Sequence, residues 1–317
     1  QMAELDVATS ENNIQESIAQ VYIQILYAAE SVKVNENTLQ VSIAQRDRGQ
    51  ELLNAGSIAK SDLAQLEAQV STDRYQLVTA QATLEDYKLQ LKQLLELDGE
   101  NEMNIYLPAL SDENVLAPLP TKKDVYISAL SLRPEIEASK LNVEASELGI
   151  GIAKSSYLPT ISLSAGIGTN HTSGSDFTFG EQVKNGWNNS IGLSVSVPIF
   201  NNRQTKSAVQ KAKLQYETSM LSLLDEQKAL YKTIESLWLD ANSAQQRYAA
   251  ANEKLKSTQI SYELISEQFN LGMKNTVELL TEKNNLLQAQ QEQLQAKYMA
   301  ILNTQLLKFY QGDQLAL

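Results

Sequence analysis

The chain contains no cysteine and a single histidine, His171. Without cysteine there can be no disulfide bond, no thiolate nucleophile and no cysteine-ligated zinc. His171 has no second histidine with which to share a metal ion, so we expect an exposed loop residue. The sequence also lacks a glycine-rich phosphate loop and a nucleophile elbow with a histidine base. We therefore expect no enzyme activity, no catalytic residues, no metal site and no cofactor.

Clusters of basic residues and long apolar runs are missing as well. The 26 Lys and Arg residues are outnumbered by 38 Asp and Glu residues, which gives a net charge of −12. Because phosphate binding needs clustered positive charge, we expect no nucleic-acid partner. No stretch approaches the ~20 apolar residues of a membrane-spanning helix. Any membrane contact must then involve strands or partner proteins.

Proline is confined to the middle of the chain, since all six prolines lie between residues 108 and 198. Both flanks are therefore free to form long helices. In residues 1–50 apolar side chains recur at intervals of three, four and seven, and after Gly56 leucine or valine returns every seven residues. This spacing predicts two long helices packed lengthwise on each other.

The second flank has the same organisation. Residues 203–270 contain neither proline nor glycine, which predicts a helix of roughly 100 Å at ~1.5 Å per residue. Gly272 follows, and leucines again step by sevens to about Tyr310. Gly56 and Gly272 each follow one helical pattern and precede another, so each predicts a tight reversal of a helical hairpin.

The middle of the chain changes period. Residues 98–132 predict an extended linker with a short helix at about 121–131, and Arg133-Pro134-Glu135 predicts the start of a helix that runs to about Ser156. In residues 160–168 and 190–197 every second side chain is apolar, and the others are Ser, Thr or Gly. This alternation predicts two strands of a hairpin joined by a long polar loop.

An internal repeat links the two flanks. Gly272 lies 216 positions after Gly56, and the same offset pairs Trp238 with Tyr22 and Glu278 with Asp62. The repeat predicts three parts: a first helical hairpin over 1–97, a linker over 98–132, and a second repeat over 133–317 with a strand hairpin at 159–198 and a helical hairpin at 203–311. Extending the offset upstream predicts that a helix and a strand pair, roughly 80 residues, precede Gln1.

Taken together, the motifs resemble the TolC-family outer-membrane efflux channels. The resemblance rests on Arg133-Pro134-Glu135 before an alanine-rich helix, on residues 157–163 entering a strand, on residues 197–203 leaving one, and on the two glycine reversals. It implies a homotrimer in the outer membrane of a Gram-negative bacterium. The fold would be mainly α with a β-hairpin, in which helical hairpins form a periplasmic α-barrel and strands join a shared transmembrane β-barrel.

The lipid-facing side of that barrel would be the apolar face of the strands. Three chains with two strands each give six strands, fewer than the ~8 of the smallest membrane barrels, so this stretch by itself is not expected to form a pore. The resemblance assigns six lipid-facing residues: Ile161, Leu163, Ile167, Ile191, Leu193 and Val195.

At the helical reversals the resemblance implies a periplasmic gate. Asp62 occupies the position of a gate carboxylate, and Glu278 that of an acidic ring. Phe269 stands where the family often has a tyrosine and Lys274 where it often has an arginine. Thr281 stands where some members carry a second ring acid. Phe269 has no hydroxyl to donate, and Lys274 lacks the two-pronged contact of a guanidinium, although a Lys274–Asp62 ion pair is chemically possible.

The same resemblance implies partners and a function. A periplasmic adaptor protein would dock on the tips at Gly56, Ser57, Gly272 and Met273, with an inner-membrane transporter connected indirectly. The chain would serve as a passive exit duct of a tripartite efflux or type I secretion system. One alternative stays open on the residues alone, a soluble coiled-coil scaffold whose strand hairpin packs on its own helices.

Overall fold

The computed structural model describes residues 1–97, 105–106 and 115–315. These residues are mainly helical and contain one β-hairpin, which confirms the predicted fold class. Residues 98–104 and 107–114 of the predicted linker lie outside the described residues. The elements are α1 (Met2–Asn54), α2 (Lys60–Leu94), α3 (Lys122–Leu132), α4 (Pro134–Ser155), β1 (Thr160–Gly168), α5 (Phe179–Asn185), β2 (Asn188–Ser196), α6 (Gln204–Asn270) and α7 (Thr276–Gln311).

The predicted repeat is visible in the helix bounds. Helix α1 ends at Asn54 and α6 at Asn270, and α2 begins at Lys60 while α7 begins at Thr276. Both pairs of bounds are 216 positions apart, which is the offset between the two glycines. No helix among the described residues combines the length and apolarity that crossing a membrane requires.

By its internal contacts the chain divides into two compact units. The first comprises residues 1–137 and 227–317, and the second comprises residues 138–226. These two units are defined by contacts between residues, whereas the three predicted parts are defined by the sequence repeat. The three-part division stays a prediction.

Two buried apolar clusters form the core of the first unit. One joins Ile23 and Leu26 of α1 to Tyr248 of α6 and to the α7 residues around Tyr298. The other joins α3 and the start of α4 to α6 and α7 through residues that include Val125, Ile136, Ile234 and Leu307. Burial of these apolar side chains stabilises the helices beyond what their intrinsic helix propensity supplies.

Hydrogen bonds fasten the linker to this core. Trp238 Nε1 donates to the carbonyl of Pro120 at 3.0 Å, and Tyr22 Oη donates to the carbonyl of Tyr106 at 2.7 Å. Gln245 Nε2 donates to two further linker carbonyls, at 2.9 and 2.8 Å. The segment between the repeats is therefore held through its main chain, which the sequence pattern did not predict.

Arg133 is a buried cation at the end of α3. Its guanidinium bonds Glu135 at 2.8 Å and Glu16 at 3.2 Å, and it lies 4.3 Å from the ring centre of Tyr310. Burial raises the pKa of the Glu16 carboxyl against the opposing effect of Arg133. Burial likewise raises the pKa of Tyr310 to about 12. Arg133 thus ties α1, α4 and α7 together at the start of the Arg-Pro-Glu motif.

The second unit contains the strand hairpin. Strands β1 and β2 are antiparallel, with Leu163 opposite Leu193 and Ile161 opposite Val195. Among the described residues these two strands make the whole sheet. Ser146 of α4 and Ser219 of α6 are hydrogen-bonded through their hydroxyls at 2.8 Å. The strand bounds agree with the predicted ones to within two residues.

The prediction of an all-loop connection between the strands was wrong. Helix α5 occupies part of that connection because Glu181 accepts hydrogen bonds from the amide and the hydroxyl of Thr178, at 2.9 and 2.8 Å. These bonds also lower the pKa of Glu181, the backbone bond most. The Thr-x-x-Glu spacing is a helix-start signal that the sequence carries.

Candidate functional site

The two helical reversals have the same backbone structure. Gly56 and Gly272 both have φ of +73°, a left-handed conformation that favours glycine. At the first reversal the amides of Gly56 and Ser57 donate to carbonyls of α1 at 2.9 and 2.8 Å, and the amides of Gly272 and Met273 repeat both bonds in α6 at the same distances. Each glycine therefore ends its helix in a Schellman motif.

The helices that follow begin with unequal caps. Glu278 accepts from the Asn275 amide at 3.2 Å, and Asn275 Oδ1 accepts from the Glu278 amide at 2.9 Å, which completes a capping box. At the first reversal Asp62 accepts from the Ala59 amide at 3.0 Å. Alanine has no acceptor with which to return the bond, so α2 has half of the box that α7 has.

Lys274 is directed to Glu278 rather than to Asp62. Its Nζ lies 2.5 Å from Glu278 Oε1, one turn along the same helix start. The hydrogen bond from Lys274, followed by that from the Asn275 amide, lowers the pKa of the Glu278 carboxyl. Asp62 and Glu278 are thus both engaged in helix capping within this chain, and their role in a gate stays a prediction.

Phe269 is a core residue of the tips. Its side chain is 2 % exposed and packs with Leu66 and Leu279 in a small buried cluster, here called the tip cluster. Since Leu66 belongs to the first hairpin and Phe269 and Leu279 to the second, the cluster holds the two hairpins together near their ends. Phe269, which stands where the resemblance places a tyrosine, therefore makes apolar contacts within this chain.

The predicted docking residues lie on the outside of the tips. Gly56, Ser57, Gly272 and Met273 are all exposed, and no atom lies within 4 Å of a Cβ built on either glycine. Leu271 and Met273 are both 72 % exposed. The second tip thus presents two large apolar side chains on either side of Gly272, and docking there stays a prediction.

Sequence reasoning missed a buried polar cluster further along the hairpins, formed by Ser42, Asp73 and Lys283. Lys283 Nζ donates to Asp73 and to Ser42, and Ser42 Oγ donates to Asp73. Gln69 Nε2 donates to the other Asp73 oxygen at 2.9 Å. Burial lowers the pKa of Lys283, against the opposing effect of Asp73.

A signal for this cluster exists in the sequence. Asp73 continues the buried stripe of Leu63, Leu66 and Val70 at intervals of three and four, and Lys283 lies between Leu279 and Leu286 on another such stripe. A charged residue on an apolar stripe needs a partner when the stripe is buried. The sequence could have identified both charges, although not their pairing.

The strand hairpin presents one apolar face and one polar face. Residues directly opposite in the register point to the same side, so the Ile161–Val195 and Leu163–Leu193 pairs share a face, and the Ser162–Ser194 pair lies on the other. The six predicted lipid-facing residues are 60–84 % exposed, and they are Ile161, Leu163, Ile167, Ile191, Leu193 and Val195.

The described part of the chain contains no cluster of metal-ligating side chains. No group of three or more His, Asp or Glu side chains there is arranged to hold a metal ion. His171 lies exposed in the connection between the strands, with Nδ1 3.0 Å from Gln182 Oε1.

Comparisons with known proteins agree with this architecture. Residues 125–312 match the family described as outer membrane efflux protein. The outer membrane efflux protein BepC of Brucella suis is 24 % identical over 294 residues, which are 92 % of this chain and 61 % of BepC. The outer membrane protein TolC of Escherichia coli is 24 % identical over 294 residues, 90 % of this chain and 58 % of TolC.

A solved structure has the same fold. The outer membrane protein VceC of Vibrio cholerae superposes with a TM-score of 0.78 at 18 % identity, over 99 % of this chain and 73 % of VceC. The chain spans about 60 % of the length of BepC and TolC. Because the family match covers more than half of the chain, the chain belongs to the outer membrane efflux protein family, that of TolC, whose place is the outer membrane of Gram-negative bacteria.

Proposed function

We propose that this chain helps to build an outer-membrane exit duct, through which a tripartite efflux or type I secretion system releases its cargo. The duct is a homotrimer in which the strands join a shared barrel and the helical hairpins line a periplasmic tunnel. Transport through it is passive, and an inner-membrane transporter supplies the energy.

One observation carries the proposal, the exposed apolar face of the strand hairpin. Ile161, Leu163, Leu193 and their neighbours are exposed on one side of a sheet whose other side consists of Ser, Gly, Thr and Asn residues. A soluble scaffold would bury such a face on its own helices, whereas a strand in a membrane barrel turns it to lipid. The nine residues of each strand also approach the ~9–11 that cross a bilayer.

Membrane fractionation of the full-length protein tests this assignment. Replacing Leu163 and Leu193 together with Asp puts two charges on the proposed lipid face, so we expect most of the protein to leave the outer-membrane fraction. The matched control replaces Ser162 and Ser194, the adjacent opposed pair on the other face, with Asp. The control should stay in the membrane. Fractionation of the Leu163/Leu193 variant that is unchanged from the wild type would contradict the lipid-facing assignment and favour the soluble scaffold.

The tips provide the gate and the docking surface of the duct. Support comes from the two identical reversals and from the exposed Leu271 and Met273 beside Gly272. A periplasmic adaptor would bury these two side chains, together with Gly56 and Ser57 of the first tip. Asp62, Lys274 and Glu278 surround the entrance, and Phe269 supports it from the tip cluster.

The charge of the entrance predicts its ion preference. The chain carries a net charge of −12, and two of its carboxylates, those of Asp62 and Glu278, lie at the tips. The lumen should therefore favour cations over anions. Single-channel recordings of the full-length protein test this preference. Glu278→Gln should reduce it, whereas Glu292→Gln, a substitution away from the tips, should not. A clear anion preference of the wild-type channel would contradict the charge assignment.

A further inference from the structure

The buried polar cluster connects three helices. Ser42 lies on α1, Asp73 on α2 and Lys283 on α7, and all three are 2–4 % exposed. We propose that this cluster is a register lock, which fixes the axial position of α7 against the α1–α2 hairpin near the tips. Its partners are charged and directional, so the contact is satisfied at one axial position of α7 and lost one turn away.

The seam around the cluster explains why a lock is needed. From Asn35 to Gln45 the buried positions of α1 include polar side chains at intervals of seven and three, Asn35, Ser42 and Gln45. Interdigitating apolar side chains normally set the register between long helices. Here polar side chains share the seam with the buried Leu39, and Gln45 Nε2 donates to Tyr262 Oη of α6 at 2.7 Å. The register therefore depends in part on which polar groups meet.

The cluster is better suited to specificity than to stability. Removing two charges from water costs about as much as their attraction returns, so a buried ion pair adds little net stability over apolar side chains of similar volume. A buried polar group does, however, exclude alternative alignments that would leave it unpaired. Because the Lys283 amine is buried, an axial alignment of α7 that separates it from Asp73 would leave a buried charge unpaired and is therefore excluded.

The lock lies close to the tip cluster. Lys283 is four residues, about one turn, beyond Leu279, and Asp73 is seven residues, about two turns, beyond Leu66. A slip of α7 by one turn would move Leu279 by about 5.4 Å relative to Leu66. The consequence for the gate, that the lock positions Lys274 and Glu278 at the entrance, rests on the proposed function, whereas the register itself does not.

Distance measurements between spin labels test the lock. The chain has no cysteine, so Ala68→Cys on α2 and Asn284→Cys on α7 label the full-length protein at two exposed sites. With the lock intact we expect one narrow distance distribution. In the Asp73→Leu/Lys283→Met variant we expect a second or shifted population, because a slip of one turn displaces α7 axially by about 5.4 Å, at an unchanged or higher melting temperature. A wild-type distribution in this folded variant would overturn the proposal.

A matched ion pair serves as the control. Lys254 of α6 and Glu292 of α7 also bridge two helices, at 2.7 Å, but both are exposed to solvent. Lys254→Met/Glu292→Gln should leave the label distances unchanged, and a shift equal to that of the lock variant would overturn the proposal. A merely stabilising role would lower the melting temperature without moving the labels.

A milder variant decides the question if the double replacement does not fold. Ser42→Ala removes the α1 member of the cluster, and labels at Gln40→Cys and Asn284→Cys report on α1 and α7. We expect a broader distribution for this pair, and an unchanged one would overturn the proposal. Conductance of the same proteins separates the two hypotheses. A register shift in the lock variant, together with a wild-type protein that forms no channel, supports the lock and contradicts the proposed function.

Discussion

Tyr22 and Trp238 lie at equivalent positions of the two helical repeats, 216 residues apart, and each donates a hydrogen bond to a main-chain carbonyl of the segment that joins the repeats. Tyr22 bonds the carbonyl of Tyr106, and Trp238 bonds that of Pro120. The duplicated position thus binds the linker from both repeats, although the two side chains differ in chemistry.

Replacing Trp238 should weaken this attachment. Trp238→Phe leaves the Pro120 carbonyl without its donor, so we expect a loss of about 1 kcal/mol in the free energy of unfolding. Chemical denaturation followed by circular dichroism measures it. Trp187→Phe is the control, because Trp187 is exposed and should change stability by less than about 0.5 kcal/mol. Equal losses in both variants would show that the Pro120 bond contributes nothing.

Gly49 of α1 permits the close approach of α2. A Cβ at this position would lie 2.4 Å from Leu66 Cδ1, and Leu66 is buried in the tip cluster. Gly49→Ala should therefore cost about 1–3 kcal/mol by overpacking. Gly151→Ala in α4 has no atom within 4 Å of the new Cβ and should instead stabilise by about 0.5–1 kcal/mol. Thermal unfolding distinguishes the two, and a stable Gly49→Ala protein would contradict the packing.

The unequal caps predict opposite effects at equivalent positions. Asn275→Ala removes the side-chain acceptor from the start of α7 and should cost about 1 kcal/mol. Ala59→Asn supplies that acceptor at the start of α2, where Asp62 already forms the other half of the box. It should stabilise the protein by a similar amount. Thermal unfolding tests both, and no gain from Ala59→Asn would contradict the equivalence of the reversals.

The Lys274–Glu278 pair predicts a pH effect at the tip. Lys274 lowers the pKa of the Glu278 carboxyl in the folded state, so the interaction stabilises the fold above the unfolded pKa and is lost as the pH falls through the folded pKa. Lys274→Met should raise the pKa of Glu278 and shift this loss to higher pH. Carboxyl-carbon NMR shifts during an acid titration measure it.

A second pair provides the control for that titration. Lys254 lowers the pKa of Glu292 in the same way, chiefly through a hydrogen bond. Lys254→Met should raise the pKa of Glu292 and leave that of Glu278 unaltered. If Glu278 titrates identically in the wild type and in Lys274→Met, the pair at the second tip does not form in solution.

Local patterns predicted the elements well. The seven-residue spacing and the two glycines predicted the long hairpins, and alternation predicted β1 and β2, because helix and strand periods depend on neighbours along the chain. Helix α5 was missed although Thr178 and Glu181 carry its start signal. A two-turn helix has too few apolar positions to show a period.

Contacts between distant elements were less predictable. Nothing local indicates that Lys283 meets Asp73, because that pairing depends on which stripes face each other in the bundle. The resemblance assigned Phe269 to a gate, which stays a prediction, but it did not indicate that the fold buries the ring against Leu66 and Leu279. Which residues are buried at a helix end depends on the helix that packs against it, and local sequence patterns do not identify that helix.

The outer edges of β1 and β2 have a consequence for assembly. Among the described residues each strand pairs along one edge alone. The amide and carbonyl groups along its other edge are therefore available to hydrogen-bond to a further strand. A two-stranded hairpin is at best marginally stable in water. In the proposed homotrimer the hairpin would gain its stability when further strands complete the sheet, and its folding and its oligomerisation would then be a single, concentration-dependent event.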